Sequence, residues 1–247
     1  MTPRVRSIVI VLISVTWLSV FAQSAAVPDD EDAAVEKYAT EGSFQFRTNL
    51  HARSGSFEDG AKGKHITVSR GEPPMLWMPD GSFETGAMAL LHGDACRAAA
   101  IVVAKDVGSS TYITHSKAFI YAKHNFVVQR ILKAPQGIVV GSNIQVIQPG
   151  GSLVDDGEQV RLAFDGLVPF STGHTYLLVL LHRQDAAPTI FVPKRYSETV
   201  RVISGHVSIP KGEILSPAAE GAFVPGETIT DFSNSLASST NNAPCTR

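Results

Sequence analysis

From Ala98 to Ile209 the chain is a succession of short apolar runs cut by turn signals, and that grammar admits few folds. Ala98-Ala99-Ala100-Ile101-Val102-Val103-Ala104 predicts a buried strand, extended after Gly108 by Tyr112-Ile113-Thr114. Ala118 to Ala122 continues through Phe126 to Leu132, with His115-Ser116-Lys117 as the hairpin connection. Ser142 to Gln148 alternates and stops at the breaker Pro149-Gly150-Gly151. Asp156-Gly157 is a hairpin turn signal ahead of Gln159 to Phe164, a strand closed by Asp165-Gly166 and Pro169. Tyr176 to Leu181 is the most hydrophobic internal stretch and predicts a central strand buried on both sides. Thr189 to Val192, Thr199 to Ile203 and His206 to Ile209 are three more short strands, the last two joined at Ser204-Gly205. Strands this short and this regularly interrupted predict a mainly β fold, a barrel or sandwich with a few short helices.

Helical spacing occurs on either side of that region. Ala87 to Cys96 lacks Pro and places Met88, Leu91 and Ala95 on one face. Pro225 and Glu227 stand where a helix begins, and Ile229, Phe232 and Leu236 follow at i, i+3 and i+7. The Ser/Thr/Asn tail beyond Ser238 is expected to be mobile. The N-terminal third is turn-rich: Ala33 to Thr40 suits a helical turn or two, and Ser43 to Phe46 and His65 to Val68 alternate as half-buried strands do. The expected organisation is a signal peptide over 1–26, a turn-rich extension with a short helix over 27–97, a β-barrel domain over 98–210, and a C-terminal helix with a flexible tail over 211–247.

Arg4 and Arg6 precede an apolar stretch from Ile8 to Ala22, and small residues follow at Ser24, Ala25 and Ala26. These are the three parts of a secretory signal peptide. The competing reading is an uncleaved anchor, but a span needs roughly 20 apolar residues and this core has about 15. Export predicts a secreted, periplasmic or cell-envelope location. It also places Cys96 and Cys245 in an oxidising compartment, where two thiols tend to pair. The alternative is two unpaired thiols, Cys96 as a small core residue and Cys245 in the tail.

With 44% hydrophobic and 18% charged residues the chain is too apolar for a disordered one, and a single long apolar run excludes a polytopic membrane protein. Losing Arg4 and Arg6 leaves 19 basic against 23 acidic groups, a net charge of −4 that argues against a nucleic-acid partner.

No motif assigns a catalytic residue, a cofactor or a metal. His-Glu-x-x-His, Cys-x-x-Cys, Gly-x-Ser-x-Gly and Gly-x-Gly-x-x-Gly are absent. Gly81 and Gly86 have P-loop spacing, but Ala87-Met88 replaces the Lys-Ser/Thr that reaches phosphate and Mg²⁺. Asp29 to Asp32 and Asp155 to Glu158 lack the ligand spacing of a Ca²⁺ loop and read as solvated turns. The histidines are expected at the surface or at strand ends. His174 and His182, eight residues apart on one strand, lie ~26 Å apart, and His115 and His124 ~23 Å apart, so neither pair shares a metal.

The order Cys96, Ala100-Ile101-Val102-Val103-Ala104-Lys105, Phe126-Val127-Val128-Gln129-Arg130-Ile131-Leu132-Lys133, Gln148-Pro149-Gly150-Gly151 and Thr172-Gly173-His174-Thr175-Tyr176-Leu177-Leu178-Val179-Leu180 resembles a group of exported bacterial proteins of unassigned function. The same grammar is similar to the OB-fold barrel of netrin-like domains and tissue inhibitors of metalloproteinases. The resemblance implies a small OB-like antiparallel barrel. The inhibitors' zinc-chelating Cys-x-Cys is absent, so inhibition does not carry over.

The leading functional expectation is an exported, non-enzymatic binding protein with a protein or polymer ligand, no nucleic acid, and a membrane only if the signal segment is retained. Tyr112, Phe119, Tyr121 and Tyr196 are candidates for a binding face, with core packing as the competing role. The alternatives are an extracytoplasmic hydrolase with a site assembled from scattered residues, and a protease-inhibitor-like barrel rim.

Overall fold

The structure, a computed structural model, describes residues 65–68, 86–113, 120–155, 158–164, 166–182, 190–193, 199–215, 217–242 and 245. In chain order the elements are β1 (His65–Val68), α1 (Ala87–Arg97), β2 (Ala100–Ile113), β3 (Ile120–Lys133), β4 (Asn143–Pro149), β5 (Gly151–Asp155), β6 (Glu158–Phe164), β7 (Thr175–His182), β8 (Ile190–Pro193), β9 (Arg201–Ile203), β10 (His206–Ser208), α2 (Pro217–Ala222) and α3 (Ile229–Asn242). The architecture is mainly antiparallel β with few helices, as the strand spacing predicts.

β2 and β3 form the spine, an antiparallel pair running from Ile101↔Lys133 to Ile113↔Ile120. Three register shifts, between Ile101/Val102, Val103/Ala104 and Asp106/Gly108, interrupt it. Irregularities of this kind bend and twist a long strand. β4 pairs with β3, and β7 with the first half of β2. β8 pairs in parallel with β4 and antiparallel with β7, and β9 and β10 extend the sheet beyond β7. At the β9–β10 turn Ser204 and Gly205 both hold positive φ, 51° and 79°, as a tight two-residue hairpin requires.

The run from Ala98 to Ala104 contains no polar side chain because β2 is covered on both faces. Ala100, Val102 and Ala104 face a core with Phe126, Val146, Tyr176 and Phe191. Ile101 and Val103, with Leu177 and Val179 of β7, face the helices, where they meet Leu90, Leu91, Phe232 and Leu236. Phe232 is fully buried and stacks on Phe223 at 5.5 Å between ring centroids. Full burial of such a side chain contributes about 1.5–3 kcal/mol.

α3 begins two residues beyond Glu227, at Ile229. Thr228 Oγ1 accepts the Asp231 N–H at 3.0 Å and donates to Asp231 Oδ2 at 2.7 Å, which caps the first turn. Burial raises the Glu227 carboxyl above its ordinary 4.5; an accepted hydrogen bond from the Val224 N–H opposes this, and the nearby Asp231 charge adds to it. Contrary to the mobile tail expected after Ser238, the helix runs on to Asn242 with Ser239 buried. Ser239 and Thr240 donate to the carbonyls of Leu236 and Ala237, at 2.6 and 2.9 Å, so their hydroxyls are satisfied within the helix. Beyond it, Cys245 is bonded to Cys96 of α1.

The predicted breaker after β4 is where the chain changes sheets. β5 leaves the large sheet and pairs antiparallel with β6 from Gly151↔Leu162 to Asp155↔Glu158, and β1 joins β6 in parallel. β5 and β6, expected within one barrel, thus join β1 in a separate three-stranded sheet. Gly150 and Gly151 make the exit with φ of 89° and 140°. A Cβ on Gly151 would stand 2.6 Å from Thr111 Cγ2. Gly151→Ala is therefore expected to cost about 1–3 kcal/mol, read as a lower urea midpoint, because it adds a clash to a φ that L-residues avoid. Adding Thr111→Ser should return part of the loss. An unchanged midpoint would show that this close approach does not constrain the fold.

Candidate functional site

Two polar assemblies stand out, one on the outside of the large sheet and one inside it. Both follow from the alternation of side chains along strands.

On β3, Phe126 and Val128 point inward while Asn125 is exposed and Val127 half-buried. On β4, Ile144 and Val146 point inward while Asn143 is exposed and Gln145 half-buried. Lys105 of β2 pairs with Val127 on one side and Thr175 of β7 on the other, and Val127 pairs with Asn143. Directly opposed residues share a face, so Thr175, Lys105, Val127 and Asn143 form one rung across four strands. The next rung is Gly108, Asn125 and Gln145. Gln145 Nε2 donates to Asn125 Oδ1 at 3.2 Å, and Thr175 Oγ1 donates to the exposed Gln129 Oε1 at 3.3 Å. A Cβ on Gly108 would meet nothing within 4 Å, so the sheet is open beside Asn125. The two rungs carry amides, a hydroxyl, Val127 and Lys105, and among the described residues no carboxylate lies in them.

The inner assembly lies on the opposite face of the same strands. His124 shares the inward phase of Phe126, and Asp106 that of Ala104. His124 Nδ1 and Asp106 Oδ2 are 2.7 Å apart, with Asp106 fully buried and His124 3% exposed. Asp106 Oδ1 accepts the Gly108 N–H at 2.9 Å across the register shift. Phe170 sets its edge on the His124 ring at 5.3 Å, and its N–H donates to buried Gln148 Oε1 at 3.0 Å. That bond fixes the amide's orientation, and Gln148 Nε2 is buried with no partner. The turn entering β7 is held to β2 by backbone bonds from Asp106 N–H to the His174 carbonyl and from Gly173 N–H to the Asp106 carbonyl. A carboxylate on Nδ1 orients an imidazole as in acid–base sites. Ser109, the cross-strand partner of His124, is exposed, and among the described residues no hydroxyl is hydrogen-bonded to the ring.

The remaining sequence candidates scatter. Cys96 and Cys245 form the expected disulfide. His174 and His206 are exposed, His92 is half-buried, and His124 departs from the surface or strand-end position expected of it. Among the candidate binding aromatics, Tyr121 is fully buried and stacks on half-buried Tyr112 at 5.4 Å; Lys123 Nζ lies 5.0 Å from the Tyr112 ring centroid. Tyr121 therefore packs and does not serve an open face. Phe119, Tyr196, His115, the acidic run at 29–32, Asp156-Gly157, Gly81 and the signal segment lie outside the described residues.

Sequence reasoning missed Asp106 and the outer amides. The signal was parity: both buried polar residues fall in phase with apolar neighbours two and four positions away, and Asn125 and Gln145 fall out of phase.

No family model and no curated protein matches this chain. The disulfide is consistent with an oxidising compartment outside the cytoplasm. Among the described residues no helix is long and apolar enough to cross a membrane.

Proposed function

We propose that the chain is an exported, non-enzymatic binding protein, an OB-like barrel that holds an uncharged, hydroxyl-rich polymer on its amide face. Support for the barrel comes from the ladders. With β2, β3, β4, β7 and β8 taken as first to fifth, pairing runs first–second–third–fifth–fourth and back to first. That order is in keeping with a five-stranded Greek-key barrel, a fold that presents the face of its second and third strands to oligosaccharides and oligonucleotides. The net charge of −4 after signal removal disfavours the anionic choice.

The observation that carries the ligand class is the face built from Asn125, Gln129, Asn143, Gln145 and Thr175. A side-chain amide offers donors and an acceptor in one plane, which suits the paired donor and acceptor character of a sugar hydroxyl. The Gln145–Asn125 bond holds two amides in place before the ligand arrives, which lowers the ordering cost of binding.

The test is retention of residues 27–247 on insoluble uncharged polysaccharides such as cellulose, chitin and starch. Retention is expected on at least one. Asn125→Ala with Gln145→Ala should weaken it by about tenfold or more, since each lost hydrogen bond is worth about 0.5–1.5 kcal/mol. Absence of retention on all three, or equal retention of the double variant, would sink the proposal.

A second reading, an extracytoplasmic hydrolase, is favoured by one observation, the Asp106–His124 pair. The burial of that ring under Phe170 weighs against it. Hydrolysis of a retained polymer, lost in His124→Gln while retention persists, would favour the enzyme over the binding module.

A further inference from the structure

α1 carries His92 and Cys96 four residues apart, and that spacing puts both on one face of the helix. Cys245, beyond α3, closes on the same spot through its bond to Cys96. His92 Nε2 stands 3.5 Å from Cys96 Sγ, and one donor atom from each of the three residues lies within 4.8 Å of the others. In a tetrahedral zinc site, bonds of about 2.3 Å to sulfur and about 2.0–2.1 Å to imidazole set an S···N edge of about 3.5 Å. The His92–Cys96 separation already has that value.

We propose that reducing the Cys96–Cys245 disulfide converts this corner into a Zn²⁺ site with two thiolates, one imidazole and one open position. A dithiol reductant supplies two electrons and two protons and leaves as its own disulfide, while the S–S bond becomes two thiols. Zn²⁺ then displaces one proton from each thiol, and His92 binds as neutral imidazole through Nε2. Lys133 Nζ donates to the Cys96 carbonyl at 3.3 Å and to that of Ala95 at 2.7 Å, which fixes the end of the helix that carries the ligands. Only the two sulfur atoms have to separate, because the helix already holds His92 and Cys96 at coordination distance. The metal then replaces the covalent link between the tail and α1.

The experiment compares the oxidised exported chain with the same chain reduced by a phosphine under nitrogen. Each form is titrated with Zn²⁺ against a chromophoric chelator, and with Co²⁺ to observe thiolate-to-metal charge transfer. Expected results are one Zn²⁺ per reduced chain, release of two protons, a charge-transfer band, and no uptake by the oxidised chain. Cys245→Ser should abolish the band. His92→Ala should weaken binding by at least the about 10–100-fold that losing even an outer partner costs. Circular dichroism on the reduced chain identifies capture by unfolded thiols, which would be indifferent to His92. Uptake that His92→Ala leaves unchanged, or no uptake after reduction, would overturn the proposal.

Discussion

Cys245→Ser is expected to lower the thermal midpoint of the exported chain by on the order of 10–20 °C. The bond joins residues 149 apart in sequence. The chain-entropy treatment assigns such a cross-link about 5 kcal/mol, acting mostly on the unfolded ensemble. For a protein of this size each kcal/mol moves the midpoint by about 2–4 °C. Native contacts at the same place should survive the change. Leu90, Leu91, Phe232 and Leu236 pack in one cluster, and Lys133 from the end of β3 holds the last carbonyls of α1. The variant should therefore keep its circular dichroism spectrum and fluorescence while unfolding earlier. Cys96→Ser should match it, and the double variant should lose no more than either single one, since all three remove the same bond. A midpoint within about 3 °C of the parent would be less than 2 kcal/mol and would mean that the unfolded chain gains little freedom from the cut.

The regular elements were legible because their apolar periods are strong. Ile229, Phe232 and Leu236, chosen for helical spacing alone, are all buried. α1 was found with its face turned: Leu90 and Leu91 are buried while Met88 is 53% exposed. Leu90 and Leu91 are adjacent and Asp94 is buried among them, so the buried stripe includes a charged residue that a hydrophobic count passes over. The β5–β6 sheet was hidden for a different reason. Pro149-Gly150-Gly151 announces a break in the strand, but two positive-φ glycines do not say which sheet the chain enters next. The outer amide face was illegible because neighbouring rungs come from four strands far apart in sequence, and the register shifts in β2 alter which residues oppose one another. The Asp106–His124 pair was half visible. Each residue sits in phase with a buried apolar series, yet an inward polar residue declares itself only when its partner is known, and the partner is eighteen positions away on the next strand.

That pair supports the second large effect. Asp106→Ala should cost about 2–4 kcal/mol, because it removes the acceptor of one buried and one part-buried hydrogen bond. Truncation strands two donors: His124 Nδ1, whose ring is 3% exposed, and the Gly108 N–H at the register shift. A buried donor left unpaired costs about 1–3 kcal/mol, and the half-buried Gly108 N–H less. His124→Ala should cost a similar amount by leaving the fully buried Asp106 carboxyl without its side-chain partner. The informative molecule is the pair of changes Asp106→Leu with His124→Leu. It puts apolar volume where the hydrogen-bonded pair stood, and replacing both partners by apolar groups can be nearly neutral. Urea unfolding of both singles and the double gives the coupling directly. The expected result is a double variant well above the sum of the two losses, with a residual cost from the unpaired Gly108 N–H. If the double simply adds the two single losses, the residues act independently and their 2.7 Å contact contributes nothing to stability. If the double recovers while polysaccharide retention is unchanged, the inner pair serves the fold and the outer amides serve the ligand. The two faces of β2 and β3 then divide the work between them.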